Sequence, residues 1–532
     1  MVKQTKIKQT GKSDTSKKKS INIVMPALPL WIVLLIFFIT TIIFFHQQLF
    51  GNYYFWEDFV EYVFPVQSFA ASEFANGVIP FWNPYTFNGM PFLADLQVGF
   101  FYPLNRILTL FVDTNGNLPV GAIQFVIILH FFISQITLFY LSKYFKISSF
   151  GSIIGAISYS FSMLLVCHVI HPMMIYHLAW FPLVLLFLVK ALKERKIEYG
   201  IYSGLIFGFS MLSGHPQTTL YEGLFLGFVG VWYIIAEWMN KEIKNKKIIP
   251  MLVSFLATLI IAAGIFSIQY IQSQELASLS QRDEINYEKS TEGSLQFKQV
   301  FASVVPKLFG YVDGGNEQNP SFYLQFDGQY QRHFYWETIY YFGITALILG
   351  LIGISFKIKT REGALFLTIA LFGFFYALGN NFLLFNIFYN LPLFGSFRNP
   401  SRILFFTILA FSIFAGFGFD TVFEKVKDKK AFVRIIFICG IILFISILST
   451  TGILQIMVNT PEQLVKLIRE YSVSSLIFVS VISGILSLSY KNLLKPLYSG
   501  SLLVIIAFID LYIAGASFNA SPQNPNDAYK LD

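Results

Sequence analysis

Charge is what this sequence has least of. Of its 532 residues, 13% are charged, 55% are hydrophobic and 18% are aromatic, and a soluble chain of that size needs far more charge to cover its surface. The string of soluble domains that length alone would suggest is thereby excluded, and lipid becomes the solvent for most of the chain. Cysteine is also scarce: Cys167 and Cys439 both lie inside apolar runs, as buried small hydrophobes do, and not as a disulfide or a metal site would. A Gly-rich phosphate loop, zinc-type Cys/His spacing, a nucleic-acid motif and a carboxylate cluster at ligand spacing are all missing. No metal, no cofactor and no nucleic-acid partner are therefore expected. No short internal repeat is visible.

What the sequence has in abundance is long apolar runs. A membrane-crossing helix needs about 20 such residues, and candidates lie near 27–45, 121–141, 150–168, 174–190, 199–213, 218–238, 249–269, 338–356, 363–379, 402–422, 433–452, 473–490 and 498–516. The expected fold is an all-α polytopic transmembrane bundle of about 13 spans, with the short 199–213 run the weakest of the set. Basic residues should collect on the cytoplasmic side. With the N-terminus inside, the short inner segments hold 27 of the 38 basic residues: Lys3 to Lys19, Lys143 and Lys146, Lys190 to Lys196, Lys241 to Lys247, Lys357 to Arg361, Lys425 to Arg434, and Lys491 with Lys495. Adding or removing one span would invert every later loop and destroy this asymmetry. The C-terminus is then outside, in a multi-pass cell-membrane protein.

The expected organisation is a disordered basic cytoplasmic tail over 1–26, a transmembrane domain over 27–516 and a short extracytoplasmic tail over 517–532. The first apolar run is long and lacks a small-residue cleavage site, so it reads as an uncleaved signal anchor. Two outer loops, 46–120 and 271–337, are too long to be simple connectors. The first should contain a short helix at Phe69–Ala75, ended by Gly77 and Pro80. It should lie flat on the outer surface, with Phe81, Trp82, Tyr85, Phe87, Phe100, Phe101 and Tyr102 in the headgroup layer.

Four groups of residues could carry chemistry. The first is Trp56-Glu57-Asp58-Phe59, just past the first span. The plain reading is a solvated loop acid; the sharper one is a general base whose pKa is raised by low-dielectric surroundings. The second is the Gly/Pro-punctuated stretch from Gly77 to Pro103, an interfacial scaffold in which Asp95 stands out as an acid in apolar company. The third comprises His168 and His171 with Ser213-Gly214-His215-Pro216-Gln217 and Tyr221. Each His alone is an ordinary structural hydrogen-bonder, but two His-Pro turns on one side of the membrane raise the case for a shared polar cavity. The fourth is Phe397-Arg398-Asn399-Pro400-Ser401-Arg402, where two outer arginines run against the positive-inside bias. They would bind headgroups, pair with an acid, or clamp a phosphate bidentately; Arg332 is a weaker candidate for the same task. Glu222 and Asp510 are intramembrane acids, which are costly and therefore paired or functional.

On Glu57-Asp58, the stretch from Gly77 through Pro80-Phe81-Trp82-Asn83-Pro84 to Tyr102-Pro103, Gly214-His215-Pro216-Gln217, Phe397-Arg398-Asn399-Pro400-Ser401-Arg402 and Asp510, the chain resembles the bacterial YfhO-type membrane protein family, within the GT-C glycosyltransferase superfamily. These features span most of the chain in family order. Many members continue well past the last span, so an accessory C-terminal region is expected to be absent here. The resemblance implies a GT-C-like architecture with interfacial helices in the first outer loop. It also implies a hexosyltransferase-like enzyme that draws a sugar from a polyprenyl phosphate, such as undecaprenyl phosphate. The acceptor would be an extracytoplasmic lipid or envelope polymer of the teichoic-acid type. It assigns Asp58 as the base of an inverting transfer, with Glu57 as substitute. Arg398, Arg402 and Arg332 would sit on the donor phosphate, and Asp95, His171, His215, Gln217 and Tyr221 would position substrate. The alternative is a transporter or lipid-linked-sugar flippase, which would place its polar residues at mid-bilayer depth in broken helices and show internal repeats.

Overall fold

The computed structural model describes residues 26–239, 248–279, 286–312, 314, 323, 334–426 and 428–529. The expected disordered tail lies almost wholly outside them, as does Arg332. In lipid a backbone must satisfy its own hydrogen bonds, which leaves the helix as the element an apolar run can form. Each of the thirteen apolar runs falls on a helix or a helical pair. Among the described residues nine helical segments are long and apolar enough to cross a membrane by length and composition. They are Val120–Tyr144, Ser149–Ile170, Pro172–Glu194, Pro216–Trp238, Ile248–Ser278, Pro400–Glu424, Lys429–Thr450, Glu462–Tyr490 and Pro496–Asn519. The shorter apolar helices Leu30–Phe44, Ile197–Met211, Ile344–Lys357 and Arg361–Ala377 pack among them. The molecule is thus an all-α polytopic bundle.

Ser149–Ile170 and Pro400–Glu424 form its buried centre, while Ile248–Ser278 and Lys429–Thr450 present most of their surface outward. Polar side chains inside the bundle find one another, as apolar surroundings demand. Gln135 bridges to Thr40 and Thr41 on the first helix, and Ser134 donates to Ser160 across 2.6 Å.

The two ends of the bundle differ. One end carries short basic turns tied by ion pairs: Lys193 to Glu362 at 2.8 Å and Lys357 to Glu424 at 3.5 Å. At the other, the loop face, segment 46–119 spreads over the helix ends. The chain leaves the first helix, makes a π-helical turn at Phe59–Val63 and continues as a helix over Phe64–Ala75, so the expected short helix exists and starts earlier. Gly77 then takes a positive φ of 74°, and a two-stranded antiparallel ribbon pairs Trp82 with Pro91 and Asn83 with Met90.

This segment is anchored by a small apolar cluster of Ala70, Phe92, Leu93, Val98 and Phe100 and by a close backbone approach to the 213–214 turn. Gly214 has φ +97° and sits so near the loop that a Cβ there would lie 1.9 Å from the Leu96 carbonyl oxygen. That contact is available only to glycine. Of the aromatics expected in the headgroup layer, Phe81, Trp82, Tyr85 and Phe87 are exposed, whereas Phe100 and Tyr102 are buried and so do not reach it. Tyr102 instead shares a hydrogen bond of 2.6 Å with His130 and accepts one of 2.8 Å from Trp180. Its hydroxyl has polar partners inside the bundle, and its ring follows it there. The C-terminal residues also return to this face. Tyr54 and Ser521 form an antiparallel bridge, Trp56 donates to the Phe518 carbonyl at 2.7 Å, and the Tyr529 hydroxyl donates to Val60 at 2.6 Å.

Candidate functional site

The loop face brings together residues from segments scattered between positions 57 and 402. Glu57 adopts a left-handed backbone, φ 54°, which is uncommon for a side-chain-bearing residue. The chain turns sharply there and enters the π-helical turn at Asp58, and π-turns are frequent at functional sites. The Asp58 carboxylate is half exposed, with Oδ2 2.8 Å from Nε2 of His171. His171 is placed by the break between Ser149–Ile170 and Pro172–Glu194, where Pro172 opens the second helix.

Three residues upstream, His168 is fully buried and donates through Nδ1 to the Leu164 carbonyl at 2.7 Å. Its Nε2 lies 3.5 Å from Oε2 of Glu337. Glu337, 2% exposed, is gripped by Arg402 through two parallel hydrogen bonds, Nε to Oε2 at 2.8 Å and a terminal nitrogen to Oε1 at 2.5 Å. This is the bidentate geometry a guanidinium favours with a carboxylate. A further Arg402 nitrogen donates to Gln217 Oε1 at 3.2 Å. The Ser401 hydroxyl lies 2.7 Å from the carbonyls of both Gly293 and Glu337. A polar row therefore runs from Asp58 to His171 and, across a ring contact of 5.7 Å, from His168 past Glu337 to Arg402 and Gln217.

The electrostatics follow from this row. The His171 hydrogen bond holds the Asp58 carboxyl below its ordinary range, against the opposing effect of burial, and the His171 and Arg402 charges act in the same direction. The raised pKa expected of a base in low-dielectric surroundings is not met: a polar partner on the carboxylate outweighs desolvation, so Asp58 stays ionised. Burial alone would push Glu337 up, but the adjoining Arg402 and His168 hold it well below the usual carboxylate range.

The remaining expected residues divide between this row and its supports. Arg402 is in the row, but its guanidinium is already matched by Glu337. Arg398 is 58% exposed at its side chain and 3.8 Å from Glu292, which leaves it the more accessible of the two. Gln217 donates to the Arg398 carbonyl at 2.6 Å and to the Tyr221 hydroxyl at 3.1 Å, so it braces the 398–402 turn. His215 caps the helix Pro216–Trp238, accepting from the Thr218 amide at 3.1 Å. Asp95 accepts from Tyr62 at 2.7 Å and caps the turn Leu96–Val98. Of the intramembrane acids, Glu222 pairs with His177 at 3.0 Å. Asp510 accepts from the Tyr341 hydroxyl at 2.6 Å and from the Ile344 amide at 2.8 Å, so it holds the start of the helix Ile344–Lys357. Arg332 lies outside the described residues.

Glu337 is the residue sequence reasoning missed. Its signal was present: Phe334-Tyr335-Trp336-Glu337 repeats the aromatics-then-acid arrangement of Phe55-Trp56-Glu57-Asp58, again beside an apolar run. A narrow crevice of about 10 Å³, lined by Tyr62, Gln67, Gln97, Asn105, Pro172 and Ser213, lies beside His171. A larger recess, about 310 Å³ and bordered by Lys143, Lys146, Asp420 and Glu424, lies at the opposite end of the bundle and belongs to no part of this row.

No protein-family profile and no curated protein matches the chain. Among solved structures it is similar to the crystal structure of ArnT from Cupriavidus metallidurans bound to undecaprenyl phosphate. The identity is 13%, the match covers 92% of this chain and 77% of that one, and the TM-score is 0.47. A likeness of that degree decides neither family nor activity.

Proposed function

We propose that this protein is a membrane glycosyltransferase of GT-C type. It would move a sugar from a polyprenyl-phosphate donor, such as undecaprenyl phosphate, to an extracytoplasmic acceptor that is an envelope polymer of the teichoic-acid kind or a lipid. The observation that carries the reading is Asp58: an ionised, half-exposed carboxylate oriented by His171, on the same polar row as Arg402. The YfhO-type motifs support it, because the Gly214-to-Gln217 and Phe397-to-Arg402 stretches are hydrogen-bonded to each other although they are far apart in sequence, and the Asp58 carboxyl is near enough to feel the Arg402 charge.

In this mechanism the acceptor hydroxyl attacks the anomeric carbon while Asp58 takes its proton, with Glu57 next to it. The bond from that carbon to the phosphate oxygen breaks, the electron pair leaves with the lipid phosphate, and the configuration inverts. Arg398, with Arg332, receives the growing phosphate charge; fixed donors at such a position lower a barrier by about 3–4 kcal/mol. Arg402 acts at one remove through Glu337. His215, Gln217, Tyr221 and Asp95 shape the walls.

The test is transfer by the purified protein from a polyprenyl-phosphate-linked hexose to an added acceptor, read as released polyprenyl phosphate. Asp58→Asn is expected to lower the rate by at least about 100-fold while leaving the folded yield unchanged, as loss of a general base does. Full activity in Asp58→Asn and in Asp58→Asn/Glu57→Gln would remove the proposed base.

One observation favours the transporter or flippase reading: the fully buried His177 and Glu222 pair, an ionisable couple within the bundle. Substrate movement across sealed vesicles without formation of a glycoside would establish that reading in place of this one.

A further inference from the structure

His168, His171 and Glu337 form a compact trio. One ligand atom from each lies within 4.8 Å of the other two, and the hydrogen bonds around them fix which atoms are free. Nδ1 of His168 faces the Leu164 carbonyl, which can only accept, so Nδ1 carries the hydrogen. In the neutral imidazole Nε2 is then a bare lone pair, buried, without a hydrogen-bond partner among the described residues, and 3.5 Å from a carboxylate oxygen. A lone pair facing a carboxylate is repulsive unless a cation lies between them. His171 repeats the arrangement. Its Nε2 faces the Asp58 carboxylate, so it carries the hydrogen, and its Nδ1 is buried without a partner among the described residues.

Both rings are therefore held in the tautomer of a metal-ligating histidine, each with its other nitrogen donating to an oxygen. The carboxylate on His171 is the outer partner such ligands usually have. The spacing suits a small ion. Ligand bonds of 2.0–2.2 Å in a tetrahedral site put ligand atoms about 3.3 Å apart, and the His168 to Glu337 edge is 3.5 Å. Glu337 can bridge, because Arg402 occupies one side of each of its oxygens and a carboxylate has about four lone-pair directions.

We propose that His168, His171 and Glu337 bind one divalent transition-metal ion, with Zn²⁺ the best match to two imidazoles and a carboxylate, and that Asp58 orients His171 as a ligand. Three protein ligands leave the fourth tetrahedral position open, which is the pattern of a reactive site and not of a structural one. The local charge argues the same way. Among the described residues, the carboxylates of Asp58 and Glu337 outnumber the single guanidinium of Arg402, while Arg398 stands 3.8 Å from Glu292. An anion arriving beside Asp58 would meet net negative charge, and a bound dication reverses that sign. If the glycosyltransferase reading holds, the open position takes an oxygen of the donor phosphate; metal binding itself does not depend on that reading.

The test uses the full-length protein in detergent, stripped with a chelator and reloaded with Zn²⁺ alone. Bound metal is read by elemental analysis and folding by thermal unfolding. One equivalent of Zn²⁺ per chain is expected, with a raised unfolding midpoint. Co²⁺ in its place should give the visible absorption bands of a four-coordinate site with nitrogen ligands. His168→Gln and Glu337→Gln should each weaken binding at least about 100-fold. Asp58→Ala should weaken it about 10–100-fold, the usual effect of removing such an outer partner. Asp58→Asn, which still offers an oxygen to the His171 hydrogen, should restore most of the affinity. His46→Gln, at the exposed start of the short helix His46–Phe50, is the control and should bind as wild type.

Wild-type protein that takes up less than about a tenth of an equivalent, or that binds equally well after His168→Gln, overturns the proposal and leaves a proton between His168 and Glu337. Should the variants unfold, the Co²⁺ spectrum of the wild type still decides: bands of a six-coordinate, all-oxygen environment would refute it. None of these readouts requires a sugar donor, so failure here and failure of the transfer assay are separate results.

Discussion

At the scale of residues, the central fact is a buried charge pair with nothing to replace it. Arg402 and Glu337 exchange two hydrogen bonds in a site where Glu337 is almost completely enclosed, so removing one partner strands the other. In the chelator-stripped protein, Arg402→Gln is expected to destabilise the fold by about 3–5 kcal/mol, the range for an uncompensated buried charge. The double variant Arg402→Gln/Glu337→Gln should be more stable than Arg402→Gln alone, because no net charge remains to be solvated. Thermal unfolding midpoints in detergent give the ordering, and a double variant no better than the single one would show that the pair is solvated after all. The sequence made Arg402 legible through its position, a basic residue at an outer span end that called for a partner, but not the identity of that partner. Glu337 lies 65 positions away, and pairing over such a distance is a property of helix packing, which local pattern does not encode. The same limit explains Asp58. Its place after the first span could be read, whereas the direction of its pKa depends on His171, supplied by a helix break 113 positions on.

At the scale of elements, apolar periods announced the helices well and their contacts poorly. The run at 199–213 is the weakest candidate because it is short, and the structure gives its glycines a use. Gly200, Gly204 and Gly208 recur every four residues along Ile197–Met211 and face Ile248–Ser278. Added Cβ atoms there would lie 2.3 Å from the Ser254 carbonyl oxygen, 2.7 Å from that of Thr258 and 2.8 Å from the Ile265 side chain. Small residues at this spacing let two helices approach where lipid supplies no hydrophobic drive for association. What lowers the hydropathy of the run is thus what seats the helix. Gly204→Leu should therefore separate the pair and yield aggregated or poorly folded protein on size-exclusion chromatography. Gly264→Leu, on the partner helix but with nothing within 4 Å of an added Cβ, should elute as wild type. Equal behaviour of the two variants would mean that the close approach contributes nothing to assembly.

At the scale of the whole molecule, the question is which end of the bundle meets which side of the membrane, since the proposed donor and acceptor both require the loop face to be outside. The charge distribution argues for that orientation. The short turns at the other end carry Lys143, Lys193, Lys357 and Lys425 with their neighbours, and the positive-inside bias counts such residues near helix ends. The exposed aromatics of the loop face, Phe81, Trp82, Tyr85 and Phe87, suit an interface but do not choose a side, because aromatic belts occur at both. Labelling resolves the sidedness with little background, since Cys167 and Cys439 are both buried and unpaired. In intact cells of the host, Asn76→Cys on the loop face should react with a membrane-impermeant maleimide. Asn492→Cys, in the turn between Glu462–Tyr490 and Pro496–Gly515, should react only after the membrane is opened. Both positions are exposed, so failure to react cannot be put down to burial. The reverse pattern would place Asp58 in the cytoplasm, where a lipid-linked sugar would have to be used before it crosses the membrane, and the acceptor would then have to be sought among cytoplasmic molecules.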